Sequence, residues 1–105
     1  MSDADPTHLE QAFERAAEAR TAIAGVIDRV RAGDQTLQQA FDDADEHPFV
    51  GRCFAVKVFE AVPGIGKVRA RRTMEELGLD EGIWLRDVPG PTRTAVIEAF
   101  ARPAT

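Results

Sequence analysis

Val62-Pro63-Gly64-Ile65-Gly66-Lys67-Val68-Arg69-Ala70-Arg71-Arg72 is the stretch that decides how this chain is read. Two glycines bracket one apolar residue, and a helical pattern rich in positive charge follows at once. Glycine reaches backbone angles closed to other residues and lets another backbone come close. A helix that begins just after Gly66 points its first unpaired N–H groups outward, and such a corner is an anion site. Lys67 and Arg69 fall in its first turn, where the helix dipole disfavours a cation by roughly a few tenths of a kcal/mol. A phosphate resting on the amides explains their placement. The plainer alternative is an ordinary helical corner with a solvated basic face, Arg71–Glu75 and Arg72–Glu76 pairing across one turn.

Outward from that stretch the whole chain reads as helix. Residues 1–5 are expected to be disordered, with Asp5 as N-cap and Pro6 at the first helical position. From about 6 to 32, Leu9, Phe13, Ala16, Ile23, Ile27 and Val30 recur at helical steps, and Ala12, Ala19, Ala22 and Val26 widen the stripe. Gly33-Asp34 ends this helix, which is long enough to project from the rest. Thr36-Leu37-Gln38-Gln39 is a capping box opening a short helix over 37–45, with Leu37, Ala40, Phe41 and Ala44 inward. Asp42, Asp43, Asp45 and Glu46 form its solvated face, and Asp45–Pro48 stop it.

A third helix is predicted over 53–61, burying Cys53, Val56 and Phe59. A fourth spans 67–77, with Ala70, Met74 and Leu77 inward and Val68 beside them, and Gly78-Leu79 is a left-handed C-cap. Asp80 to Leu85 make a turn, and Pro91 opens a last helix over 91–101 that buries Ala95, Val96 and Phe100. No strand pattern occurs, so the fold class is all-α. Val62-Pro63-Gly64 recurs as Val88-Pro89-Gly90, with Lys67 and Arg93 at the same offset. Each copy feeds a helix and sets a cation near its start.

Composition narrows the function. The 105 residues allow one domain, or a small domain of residues 47–105 behind an N-terminal helical pair over 6–46. One cysteine excludes an internal disulfide and a Cys-rich zinc site, and fits a reducing cytoplasm. No apolar run approaches the roughly 18–20 residues of a membrane span, and the acidic N-terminus is unlike a signal peptide. Net charge is −5, which on average argues against nucleic acid. Residues 1–46, however, carry 4 basic and 11 acidic side chains, whereas 47–105 carry 9 basic and 7 acidic. The basic excess concentrates in Lys67, Arg69, Arg71 and Arg72.

At this point the residues resemble a family. Ala61 through Ala70, followed by Met74-Glu75-Glu76-Leu77, is similar to the actinobacterial, mycobacterial-type integration host factor. The likeness extends over most of residues 10–101, including the Ala32-Gly33-Asp34 junction and Leu85-Arg86 before the second turn. It implies a long N-terminal helix ahead of a helix–two-turns–helix domain, in a nucleoid-associated protein of the cytoplasm. Such a protein binds duplex DNA with little sequence preference, bends or compacts it, and assists a phage integrase. Carried over by position, Gly64, Ile65, Gly66, Lys67, Val68 and Arg69 meet the phosphates, with Arg71 and Arg72 alongside. Arg86 and Arg93 match basic positions around the second turn, and Arg15, Arg20, Arg29 and Arg31 match a second nucleic-acid surface on the long helix.

The chain departs from that pattern where Thr21, Ile23 and Ile27 replace cations and Glu18 adds an acid. Ile23 and Ile27 then either extend the core face or offer an apolar strip through which a monomer self-associates. The alternatives to a DNA-binding protein are a protein-interaction module and a structured-RNA binder like the small-subunit ribosomal protein that shares the turn. Amide contacts and cations together suggest about 4–7 phosphates and a log–log salt slope of roughly −4 to −6. They make Lys67 and Arg69 the pair whose reversal to Glu abolishes binding.

Elsewhere the chemistry is thin. Trp84 is read as a core residue beneath the second turn rather than a wedge between bases. His8 and His47 share no ligand spacing, Cys53 is a small buried group, and Asp42–Glu46 lack a calcium-loop spacing. Helix–hairpin–helix glycosylases add a catalytic Lys or Asp in a larger body. Lys57 is the one lysine here beyond Lys67, with no room for a base-flipping pocket. No catalytic residue, metal or cofactor is expected.

Overall fold

The computed structural model describes residues 6–102, with side chains from Leu9 onward. The expectations for residues 1–5 and the His8 side chain lie outside that range. Helix α1 spans Pro6–Ala32, α2 Leu37–Glu46, α3 Pro48–Gly51, α4 Ala55–Ala61, α5 Gly66–Glu76 and α6 Gly90–Ala101. A single 3-10 turn, Leu85–Asp87, precedes α6. The molecule is 63 Å long and 27 × 23 Å across, because the N-terminal half of α1 stands clear of the body.

Local chemistry sets most boundaries. Gly33 and Gly78 both adopt left-handed backbone, at φ +80° and +71°. In each case two N–H groups turn back to the helix: Asp34 donates to Arg29 O and Gly33 to Val30 O, Leu79 to Met74 O and Gly78 to Glu75 O. The capping box at α2 is formed both ways, Gln39 N–H donating to Thr36 Oγ1 at 3.1 Å and Thr36 N–H to Gln39 Oε1 at 2.8 Å.

One core crosses residue 46 and joins the end of α1 to all the later helices. Val26 and Val30 lie beneath it, and Phe41, Phe59, Met74, Leu85 and Val96 fill it. Phe59 meets Phe41 and Phe100 edge to face, at ring separations of 6.1 and 5.6 Å. Ile23 and Ile27 are partly buried against this core, so they extend the packing face and are not a free strip.

Four expectations are corrected. Pro48 does more than stop α2: as the first residue of α3 it lends its fixed φ to a new turn. Helix α4 starts two residues late because Phe54 is extended and pairs antiparallel with Trp84, Ala55 N–H donating to Ile83 O and Leu85 N–H to Cys53 O. That pairing brings Trp84 to the surface, half-buried, with the Arg86 and Arg52 guanidinium carbons 5.1 and 5.9 Å from its ring centre. Val68, expected beside the inner face, is 71% exposed.

Cys53 is buried as expected, and desolvation pushes its thiol up to about 11, which keeps it protonated and unreactive at neutral pH.

Among the described glycines, Gly51 has the least room. A Cβ there would lie 2.6 Å from Ala44 O and 3.0 Å from Arg86 Cδ. Gly51→Ala is therefore expected to destabilise the protein by about 1–3 kcal/mol and lower Tm by roughly 5–15 °C. Gly90→Ala, at an open helical position, should leave Tm within about 2–3 °C of wild type. Thermal unfolding followed by circular dichroism checks both.

Candidate nucleic-acid interface

Helices α4 and α5 meet at a corner built from four residues. Pro63 and Gly64 take the central positions of a type II turn, closed by Ile65 N–H donating to Val62 O at 3.0 Å. Gly64 at φ +82° and Gly66 at φ +70° stand where side-chain-bearing residues are strained. Between them Ile65 turns inward and is only 8% exposed, pegging the corner to the core. A Cβ at either glycine would meet nothing within 4 Å. These glycines serve the backbone angle, and the space over them is open to a foreign chain.

Helix α5 then starts without a cap. Its N-cap is Ile65, which has no side-chain oxygen, and no acidic residue lies in the first turn. Among the described residues, the N–H groups of Gly66, Lys67 and Val68 have no acceptor. Three exposed donors thus stand at the positive end of a helix, where partial positive charge attracts anions.

The four cations of this corner divide. Lys67 and Arg72 are exposed and pair with nothing among the described residues. Arg69 points the other way, its Nη2 donating to Ala99 O at 2.9 Å and Arg102 O at 2.6 Å. It thereby caps the last turn of α6. Arg71 is held between two carboxylates, with Nη1 2.6 Å from Glu60 Oε1 and Nε 3.5 Å from Glu81 Oε1. The pairing expected with Glu75 is replaced by these two bridges.

The second Val-Pro-Gly copy folds differently. Gly90 simply begins α6 without a left-handed angle. Arg93, the counterpart of Lys67, is only 16% exposed at its side chain. Its Nη1 and Nη2 donate to the two carboxylate oxygens of Asp45 at 2.7 and 2.9 Å, Nε to Val88 O and Nη2 also to Arg86 O. Its guanidinium also lies 4.9 Å above the Phe41 ring. Arg93 therefore ties α2 to the second turn and is not available to a phosphate. Arg86 stays partly exposed, between Trp84 and Asp87.

The α1 cations also separate. Arg15 and Arg20 are exposed on the projecting half, Arg29 donates to Gln35 Oε1 at 2.8 Å, and Arg31 lies 3.4 Å from Asp28. Carboxylates with local work complete the picture. Asp43 accepts from Gln35 at 2.7 Å, and side-chain atoms of Asp43, Glu46 and His47 lie within 4.8 Å of one another at the end of α2. Reasoning from sequence missed the roles of Asp45 and Glu60. They lie 48 and 11 residues from the arginines they hold, so no local spacing announces them.

Residues 30–100 match the S13-like H2TH domain family. Integration host factors of Mycolicibacterium smegmatis and Mycobacterium tuberculosis are each 36% identical over 89 residues, 85% of this chain and 85% of theirs. That of Streptomyces coelicolor is 32% identical, over 89% of this chain and 86% of its own. A solved structure of sIHF bound to an 8 bp palindromic DNA superposes with a TM-score of 0.78 at 30% identity, covering 84% of this chain and 99% of that one. Among the described residues, no helix is long and apolar enough to cross a membrane.

The Asp45–Arg93 bridge yields a pH prediction. Hydrogen bonds from Arg93 hold the Asp45 carboxyl below its ordinary value of 3.8, against an opposing effect of burial and aided by the Arg93 charge. The folded state thus binds that proton less readily than the unfolded chain. Its contribution is complete above about pH 4 and is lost as pH falls through the folded value. Asp45→Asn should remove that part of the acid dependence in urea unfolding between about pH 2.5 and 5. Arg93→Lys, which cannot span the carboxylate and both carbonyls, should cost about 1–3 kcal/mol at neutral pH.

Proposed function

From the premise that this chain belongs to the S13-like H2TH family, among the integration host factors, we propose that it grips duplex DNA by the phosphates at the α4–α5 corner. It is an architectural DNA-binding protein. The open amides of Gly66, Lys67 and Val68, between glycines that leave room for a foreign backbone, carry this reading. Amides of this kind hold a phosphate without reading bases, so sequence preference is weak. Lys67 and Arg72 supply the longer-range attraction, and exposed Val68 offers its methyl groups to a sugar edge. Arg69 and Arg71 act behind them, fixing α5 against α6 and α4. Arg86 adds a flanking charge near the second turn.

Gripping requires no bond to be made or broken, so no residue has a catalytic role. Association with the nucleoid, bending or compaction of the duplex and support of a phage integrase follow as consequences of the same grip. The solved relative with DNA bound supports duplex DNA over structured RNA as the partner.

Because two of the four corner cations are engaged internally, about two or three phosphates are neutralised, and the log–log salt slope should be near −2 to −3. That is shallower than four free cations imply. Lys67→Glu with Arg72→Glu should weaken binding to a duplex of about 20 bp on the order of 100-fold at low salt, leaving Tm unchanged. Arg69→Glu is a poor test, since it also uncaps α6. Fluorescence anisotropy with duplex DNA and duplex RNA, at low and high salt, measures all of this. Wild-type affinity in the double variant would refute the corner as the grip, and tighter binding to the RNA would favour the RNA reading.

A further inference from the structure

The projecting half of α1 carries an apolar line that the body leaves uncovered. Leu9 is 51% and Phe13 71% exposed, and both lie on the helix side of Ala16 and Arg20. The spacing of these four residues, four, three and four, is that of a coiled-coil seam. Ala12, Ala17 and Ala19 border it with small side chains that let a second helix approach. Arg20 is the one cation on the line and has no partner among the described residues. Glu10, at the edge of the line, has none either.

We infer that this segment pairs with the same segment of a second copy, antiparallel. The charges choose the direction. Parallel pairing in register would set Arg20 against Arg20 in the seam. Antiparallel pairing centred near Arg15 places Glu10 of each copy opposite Arg20 of the other, and sets Phe13 against the small Ala16 and Ala17. The seam from Leu9 to Arg20 is about 16 Å long. Three turns a side bury less than the roughly 1,200 Å² of a stable dimer, so pairing is concentration-dependent, with a Kd on the order of 100 µM. Two paired copies carry two α4–α5 corners, the valency that bridging two duplexes requires. That consequence rests on the proposed DNA grip; the pairing itself does not.

Sedimentation equilibrium without DNA, from about 10 µM to 1 mM, tests the inference. The mean mass is expected to rise from 11.5 kDa towards twice that value. Phe13→Glu, at a solvent-facing position that the fold does not use, should hold it at the monomer value with unchanged far-ultraviolet circular dichroism. Glu10→Arg and Arg20→Glu alone should each weaken pairing about tenfold, and together restore it. A wild type that stays monomeric at 1 mM overturns the inference. So does a Phe13→Glu variant that still associates, or a double reversal that fails to restore pairing. A monomer whose affinity for duplex DNA falls on Arg20→Glu also overturns it, assigning this face to DNA.

Discussion

Two glycines with one residue between them, both in left-handed backbone, set the terms for this molecule. Gly64 closes the turn after Pro63, and Gly66 redirects the chain into α5. Ile65 between them is driven into the core, while the amides that follow face outward. A helix start of this kind is usually satisfied by a Ser, Thr, Asp or Asn cap worth about 1 kcal/mol. Here that cap is absent and cations occupy the first turn. An anion from outside would offset both deficits at once, and the corner itself is held in place by a well-packed underside of Ala70 and Met74.

Three arginines of this acidic chain are construction material. Arg69, Arg71 and Arg93 each join elements distant in sequence, using the planar fork of donors that a lysine lacks. Arg93 is the fullest case, satisfying a carboxylate and two carbonyls while covering Phe41. The electrostatic reach of the corner therefore falls mainly to Lys67 and Arg72, and the positive field is narrower than the count of basic residues implies. Glu60 and Glu81, which screen Arg71, narrow it further.

Helix α1 persists well beyond the point where packing supports it. Its last turns are anchored through Val26 and Val30, and the free half is rich in alanine, the strongest helix former. An isolated helix of that length is marginal in water, but one extending from an anchored end avoids the cost of nucleation. Such a segment holds its shape and remains a surface without tertiary partners.

How much of this was legible in the residues depends on the range of each interaction. The capping box at Thr36, the left-handed stops at Gly33 and Gly78, the glycine-bracketed turn and the uncapped start of α5 all involve residues within about six positions of one another. Backbone geometry there is set by local sterics and hydrogen bonds, so these features, like the family resemblance, are readable from the residues alone. The extended pairing of Phe54 with Trp84, the contact of Gly51 with Arg86, and the bonds of Arg69 to α6, of Arg71 to Glu60 and of Arg93 to Asp45 span 11 to 48 residues. A guanidinium has no preferred partner until packing brings one within reach. Which cations serve the fold and which remain free for a ligand was therefore decided only by the tertiary structure.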